Sequence, residues 1–450
     1  MTPTCYSKLM DFAIRTAPRL KLPGGTDPAI VQALPPRFDS IPDFPYIKCI
    51  MNWEDIAREL AYTTDSKIVL LVCDGLGGLP VCGRTELEAA RKPNLDEAAR
   101  LGACGVTDPV FMGITPGSGP AHLALFGYDP LRYQLGRGIL EALGSGVEVG
   151  RNDVVARGNF ATLQGGLVVD RRAGRIPTTE NERLCTMINA KLPKQEGVLI
   201  TLTPGKEHRF VARFRAEGLS DILSDADPQK DGKPRVQAAA LKPEAGRTAV
   251  VVNRFLDELT ALLKNEPAAN TALLRGFSKF PSIPHMADLY KLRPAAVANY
   301  PMYKGLAKLL GMDVLDVGAE TPDLFDTLER EYKNHDFFYV HFKRTDAAGE
   351  DGNFEKKVAA IEEIDRFIPR LLALKPDVLV ITSDHSTPAL LHGHSWHPNP
   401  FVLVSPNAQP DSVKALTEIE CSRGMLGRFP SLYAMPLMLA HALKLKKFGA

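Results

Sequence analysis

Three stretches of this chain run apolar and then stop on a carboxylate. Ile68 to Cys73 ends on Asp74 and Gly75; Phe337 to Phe342 is followed by Asp346, Glu350 and Asp351; Val378 to Ser383 ends on Asp384 and His385, with His394 nine residues on. Apolar, β-branched runs of this length between helical segments read as buried parallel strands. In an open α/β sheet, ligand sites form beyond the carboxyl ends of the strands. Asp and His gathered at one such edge suit divalent cations such as Mn²⁺, Zn²⁺ or Mg²⁺. The pattern predicts an α/β, metal-dependent enzyme.

A chain of 450 residues is too long for one ordinary core and implies two or three domains. No run approaches the roughly 18–20 apolar residues of a membrane span. The start, Met1 to Lys8, lacks the apolar core of a secretory signal, so a cytoplasmic protein is expected. A net charge of +1 points to neither nucleic acid nor an anionic membrane. An anionic substrate must therefore be held by local Arg and Lys. Seven cysteines (5, 49, 73, 82, 104, 185 and 421) without a C-x-x-C pair read as reduced thiols with no ligand role.

Residues 1–65 are proline-rich and read as an N-terminal extension. From 66 to 148 strand and helix signals open an α/β core, with a helical tract from Glu88 to Gly102. Between 149 and 269 the character changes to hairpins. One joins Asn159–Leu163 to Leu167–Asp170 through Gln164-Gly165-Gly166, and another joins Gly197–Leu202 to His208–Phe214 around Pro204-Gly205. Asp225 to Pro243 reads as a surface loop and Val250 to Leu263 as a helix, so this block is expected to be an inserted α+β domain. The core resumes over 270–450, where Phe354, Val358, Ile361, Ile364, Ile368 and Leu371 mark an amphipathic helix.

A second signal is the loop Gly113 to Leu123. Ser118 sits between glycines, just ahead of a helix expected to start at Pro120. A serine there has backbone N–H groups nearby and a helix dipole behind it, a good place to stabilise a phosphoserine or an attacking alkoxide. No phosphate-binding G-x-x-x-x-G-K-[ST] loop, dinucleotide fingerprint or G-x-S-x-G elbow occurs. His122, four residues on, faces either the site or the core.

Val72 to Gly78 and Ser383 to Pro388, with Gly393-His394-Ser395, resemble motifs of the alkaline-phosphatase superfamily. Longer tracts resemble the archaeal-type cofactor-independent phosphoglycerate mutases: Thr115–Ser118 with Ala121–Pro130, Arg157–Thr162, Asp170–Ile176 and Asn299–Ala307. The resemblance covers residues 66–445. It implies an alkaline-phosphatase-like core with a mostly parallel sheet flanked by helices, plus the inserted domain.

The resemblance also implies two divalent ions, Mn²⁺ foremost with Zn²⁺, Mg²⁺ or Co²⁺ as alternatives, and no bisphosphoglycerate. One ion would be bound by Asp74, Ser118, Asp384 and His385, the other by Asp346, the residue at 350 and His394. Relatives often carry histidine at 350; here it is Glu350, beside Asp351, and either carboxylate could complete the site. Gly119 stands where many relatives carry Asp. Ser118 would take the phosphoryl group from 3-phosphoglycerate and return it at the 2-hydroxyl. Asn159, Asp170, Arg171, Arg175, His208 and Arg209, with Lys304 from the core, would hold the glycerate. The competing readings are another metal phosphatase or phosphotransferase acting on a small phosphorylated acid, and a non-catalytic relative.

Overall fold

The computed structural model describes residues 53–449. The expectation for residues 1–52 lies outside them. Residues 53–60 form a helix docked on the body, with Ala57 buried and the Trp53 ring stacked on Tyr290. Its Glu54 accepts hydrogen bonds from Tyr133 Oη and Arg132.

The chain is mixed α/β, built on two sheets. Strands β1 (Ile68–Cys73) and β2 (Ala103–Asp108) begin the first. The second comprises β3 (Asp153–Gln164), β4 (Leu167–Asp170), β5 (Lys194–Gln195), β6 (Val198–Pro204), β7 (Arg209–Arg215), β8 (Lys233–Pro234) and β9 (Thr271–Lys279). The first is completed by β10 (Pro294–Val297), β11 (Asp313–Val314), β12 (Phe337–Phe342), β13 (Val378–Thr382), β14 (Asn399–Val404) and β15 (Gly427–Pro430).

The first sheet has the order β11-β10-β12-β1-β13-β14-β2-β15, with β14 antiparallel to both neighbours and the other pairings parallel. Every residue of β1 is buried. Ile68, Leu70 and Val72 pack into one core with Leu306, Leu309 and Met435 from helices; Val69, Leu71 and Cys73 pack into another with Leu328, Ile361 and Ile364. Two covered faces explain why this strand shows no polar alternation. In register, Val72 sits beside His341 of β12 and Thr382 of β13. The carboxyl ends of all three apolar runs therefore lie side by side.

The second sheet is antiparallel, in the order β5-β6-β7-β3-β4-β8, with β9 also paired to β3. Both expected hairpins form. Gly165 and Gly166 take φ of 58° and 80° in the β3–β4 turn, the left-handed pair that a two-residue hairpin loop requires. Because β9 pairs with β3, this sheet reaches beyond residue 269. The helices Thr178–Lys191 and Gly246–Leu263 cover one face, where Leu184, Ile188, Val252 and Phe255 meet Phe160, Phe210 and Phe214. Val155 and Val211 pack into the first sheet's core.

Two expected helices are broken by proline. The Glu88–Gly102 tract is the pair Glu86–Ala89 and Pro93–Leu101, and the 354–371 stripe is the pair Phe354–Asp365 and Ile368–Ala373. Pro93 and Pro369 each sit in the first turn of the second helix, where no N–H is needed. Among the described cysteines, 73, 104, 185 and 421 are buried and Cys82 is exposed, all as free thiols. No helix among the described residues is long and apolar enough to cross a membrane.

Candidate metal centre and adjoining cavity

Asp74 follows β1 directly, Asp384 and His385 follow β13, and Asp346 lies in the short helix Arg344–Glu350 after β12. Adjacent parallel strands bring together residues roughly 300 positions apart. Asp74, Asp346, Asp384 and His385 are fully buried. His385 Nε2 lies 3.3 Å from Asp74 Oδ1, 3.1 Å from Asp384 Oδ2 and 3.3 Å from Ser118 Oγ. The His394 ring stacks on His385 at 3.5 Å, and its Nε2 is 3.7 Å from Asp346 Oδ1 and 3.9 Å from Glu350 Oε1.

Ser118 is the first residue of the helix Ser118–Leu125, two positions earlier than expected, with Gly117 as its cap. One turn on, His122 is buried and faces the site: its Nδ1 is 2.9 Å from Ser118 O and 3.2 Å from Asp384 Oδ2.

Asp74 is held from one side. Its Oδ2 accepts from Tyr303 Oη, from His341 Nε2 at 3.1 Å and from Lys343 Nζ at 3.0 Å. Burial opposes the charge, but Lys343, His341 and His385 outweigh it and hold the carboxyl well below the ordinary range. Lys343 also donates to Asp346 Oδ2 at 2.5 Å. Burial pulls His385 below the usual imidazole value despite its carboxylate neighbours, which favours the neutral, ligating form.

The donor set fits divalent cations. Asp74 Oδ1 and Asp384 Oδ2 are buried without a hydrogen-bond partner. Both face His385 Nε2, at 3.3 and 3.1 Å, and Asp384 Oδ2 also lies 3.2 Å from His122 Nδ1. Buried acceptors left this way are costly unless a cation joins them. Ligand atoms of Asp74, Asp384 and His385 lie within 4.8 Å of one another, as do those of Asp346, His385 and His394. Glu350 stands at the open edge of the second group, its side chain 54% exposed. Burial and Asp346 push its carboxyl above the usual value. Asp351 points elsewhere and pairs with Lys356 at 2.8 Å.

Beside these groups opens a cavity of about 660 Å³, lined among others by Ser118, Arg137, Glu141, Arg157, Lys343 and His394. Burial, with Arg275, Arg209 and Arg137 nearby and Glu141 opposing, lowers the Arg157 guanidinium to about 10. The Nε atoms of Arg157, Arg209 and Arg275 are buried without a partner, as are Asn159 Oδ1 and His208 Nδ1. Burial and Arg209 lower His208 to about 4.

The residues expected to hold substrate divide. Asn159, His208 and Arg209 belong to this unsatisfied basic group. Asp170 instead accepts from Arg172 N and Gly174 N and closes its own turn. Arg171 is spent on Asp227, with a two-pronged contact at 2.8 and 2.7 Å. Arg175 is exposed and Lys304 is half-buried in the helix Pro301–Leu309; of the basic group itself, Arg137 and Arg157 line the cavity, whereas Asn159, His208, Arg209 and Arg275 do not. Arg137, Arg157, Glu141, Tyr303, His341, Lys343 and Thr387 escaped sequence reasoning. His341 carried a readable signal, a polar residue inside a fully apolar strand. Arg137 carried none.

Carboxylates and imidazoles at the ends of parallel strands, facing a helix-capping serine and a basic cavity, define a metal-dependent phosphoryl-transfer protein of α/β class. A family model described as 2,3-bisphosphoglycerate-independent phosphoglycerate mutase matches residues 99–269. A Thermotoga neapolitana protein named "Probable 2,3-bisphosphoglycerate-independent phosphoglycerate mutase" is 53% identical over 401 residues, 89% of this chain and 100% of its own length. A Thermus thermophilus protein of the same name is 52% identical, again over 89% and 100% of the two chains. The solved cofactor-independent phosphoglycerate mutase from Thermoplasma acidophilum superposes with a TM-score of 0.65 at 32% identity, covering 84% of this chain and all of that one. This chain belongs to the 2,3-bisphosphoglycerate-independent phosphoglycerate mutase family.

Proposed function

We propose that this protein is a cytoplasmic, metal-dependent isomerase that interconverts 3-phosphoglycerate and 2-phosphoglycerate through a phosphoserine at Ser118. The observation that carries the reading is the position of Ser118 Oγ, 3.3 Å from His385 Nε2 and on the wall of the basic cavity. One side of that oxygen faces cation ligands and the other faces anion-binding groups. Family membership supports the same substrate.

Asp74, Ser118, Asp384 and His385 would hold one ion; Asp346, His394 and Glu350 would hold the other. Mn²⁺ is the proposed metal, with Zn²⁺, Mg²⁺ or Co²⁺ as alternatives, because the set mixes carboxylate and imidazole donors. When bound, the two cations supply charge neutralisation for the phosphoryl oxygens and lower the pKa of the serine hydroxyl.

Ser118 Oγ gives up its proton and forms a bond to phosphorus as the bond to the glycerate 3-oxygen breaks, and that oxygen takes up a proton. In the second half the 2-hydroxyl attacks the same phosphorus and loses its proton, while the bond to Ser118 Oγ breaks and the serine takes a proton back. Transfer of this kind depends on positioning and charge neutralisation. Lys343, on the cavity wall beside Ser118, adds a fixed positive charge for the phosphoryl oxygens. Arg157, Arg209, Arg137 and Arg275 hold the carboxylate, and the unpaired Nε atoms of Arg157, Arg209 and Arg275 are donors awaiting an anion. Held glycerate keeps water from the phosphoserine, so the group returns to glycerate rather than to solvent.

We further assign residues 66–148 and 270–450 to a metal-binding core, and 149–269, with β9 added, to an inserted substrate-binding domain. The antiparallel second sheet and its own apolar cluster support this division.

The test is conversion of 3- to 2-phosphoglycerate with added Mn²⁺ and no bisphosphoglycerate, run in ¹⁸O-labelled water. A mutase yields product without solvent oxygen. Labelled inorganic phosphate and free glycerate would instead mark a phosphatase and overturn the assignment.

A further inference from the structure

Thr387 lies between the two ligand groups. Its hydroxyl donates to Asp346 Oδ1 at 2.6 Å and sits 2.9 Å from His385 Nδ1. A hydroxyl has one proton, and the carboxylate has none to give. The Thr387 proton therefore goes to Asp346, and His385 Nδ1 must carry its own proton to complete the second bond. This sets the tautomer of His385 and leaves Nε2 with its lone pair facing Asp74, Asp384 and Ser118.

The hydroxyl is held in place from behind. Buried Lys357 donates from Nζ to Thr387 O at 2.8 Å and to Gly77 O at 2.9 Å, tying the loop after β13 to the loop after β1. Gly349 packs against the same carbonyl so closely that a Cβ there would lie 2.2 Å from it. Neither loop can shift without disturbing the other.

We propose that Thr387 is a positioning residue that couples the two ligand groups, its hydroxyl fixing His385 of one and Asp346 of the other at once. The inference rests on the reading of these groups as metal sites. Partners that orient ligating histidines and carboxylates typically alter metal affinity by about 10–100-fold. A residue serving both groups affects both ions, whereas a ligand of one group affects chiefly its own.

Isothermal titration of the metal-stripped protein with Mn²⁺ tests this. The unsubstituted protein should take up two ions. Thr387→Val, which keeps shape and removes the hydroxyl, should weaken both by about 10–100-fold, and Thr387→Ser should restore both. His394→Ala, the comparison, should weaken one. Thr387→Val with both affinities unchanged, or with one affected alone, would overturn the coupling. Histidine ¹⁵N spectra of the unsubstituted, metal-free protein check the geometry without mutation: a proton on His385 Nδ1 is expected, and one on Nε2 overturns it. A wild-type protein that takes up no ion would defeat the metal-site reading, and this inference with it.

Discussion

The carboxyl edge of the first sheet and the basic group of the second are opposites in how their polar atoms are satisfied. At the edge, the buried ligands are tied down by internal partners. Asp74 Oδ2 accepts from Tyr303, His341 and Lys343, and Thr387 bridges Asp346 and His385. Among the carboxylate oxygens of this edge, Asp74 Oδ1 and Asp384 Oδ2 are buried without a hydrogen-bond partner. In the second sheet the arginines are left with open donors: Arg157, Arg209 and Arg275 each have an unpaired Nε. Metal coordination tolerates little error in geometry, so its ligands are pre-set by neighbours. A diffuse anion is held by several forks, none of which needs an internal partner.

Substitutions at the edge should therefore fail abruptly, and those in the basic group by degrees. The largest effect is expected at Ser118, where both regions meet. Ser118→Ala should leave a folded protein with no measurable mutase turnover, since no other group carries the phosphoryl. A folded variant that kept a tenth of the wild-type rate would rule out the phosphoserine.

Next comes Asp74→Asn. It removes the charge that Lys343 and His341 orient, so one ion should be lost and turnover should fall by orders of magnitude, about several kcal/mol of transition-state stabilisation. Metal content by mass spectrometry and steady-state rates check both. Two ions retained at near-normal turnover would show that the edge is less tightly pre-set than its bonding implies.

Glu350 is the edge's loosest member, and it sharpens the contrast. Glu350→Ala should lose the second ion in preference to the first. Glu350→His should keep two and shift preference toward Zn²⁺, because imidazole is a softer donor than carboxylate. Competition titrations of Mn²⁺ against Zn²⁺ read this, and an unchanged preference would place residue 350 outside the coordination.

In the basic group, Arg157→Ala should raise KM by roughly 10–100-fold, the loss of about 1.5–3 kcal/mol expected for a hydrogen bond to a charged group. Metal content should stay at the wild-type level. Steady-state kinetics on a metal-loaded variant would test this, and an unchanged KM would remove Arg157 from substrate binding.

Arg171→Ala should act on stability alone, because its partner is Asp227 rather than the cavity. Removing it strands a buried carboxylate, at a cost of about 1–3 kcal/mol near neutral pH. Burial raises the Asp227 pKa, but Arg171 and the Gln229 N–H outweigh it, leaving the folded value depressed. The stabilisation is therefore fully present above the unfolded value of about 3.9 and lost as pH falls through the lower folded value. Denaturant melts of wild type and variant should converge in that acidic window. A gap that persisted there would show that the pair stabilises by packing rather than by charge.

Much of the edge was legible from the residues because its cause is local. Ile68–Cys73, Phe337–Phe342 and Val378–Thr382 are strands buried on both faces, so each is largely apolar, His341 being the exception in the second, and the first carboxylates mark its end. Ser118 was legible for the same reason, since glycine and proline around it announce a helix start. The basic group was not. Arg171 and Arg157 are both arginines on or beside strands of one sheet, and composition cannot say which faces a cavity. That choice falls to strand register, which breaks between Val155 and Arg157 opposite β9, and to a carboxylate at Asp227 far along the chain.

What the sequence determined by itself was the set of chemical parts and their local settings: three strand ends carrying carboxylates and histidines, and a serine at a helix start. Only the tertiary structure decided which parts meet. Strand order puts β12, β1 and β13 side by side, so Asp74, Asp346 and His385 converge across more than two hundred residues of chain. It also recruited Tyr303, His341, Lys343 and Thr387, whose roles depend on distances of about 3 Å. Apolar periodicity is written along the chain, but contacts at hydrogen-bond range between distant residues are set by packing, which no local pattern records.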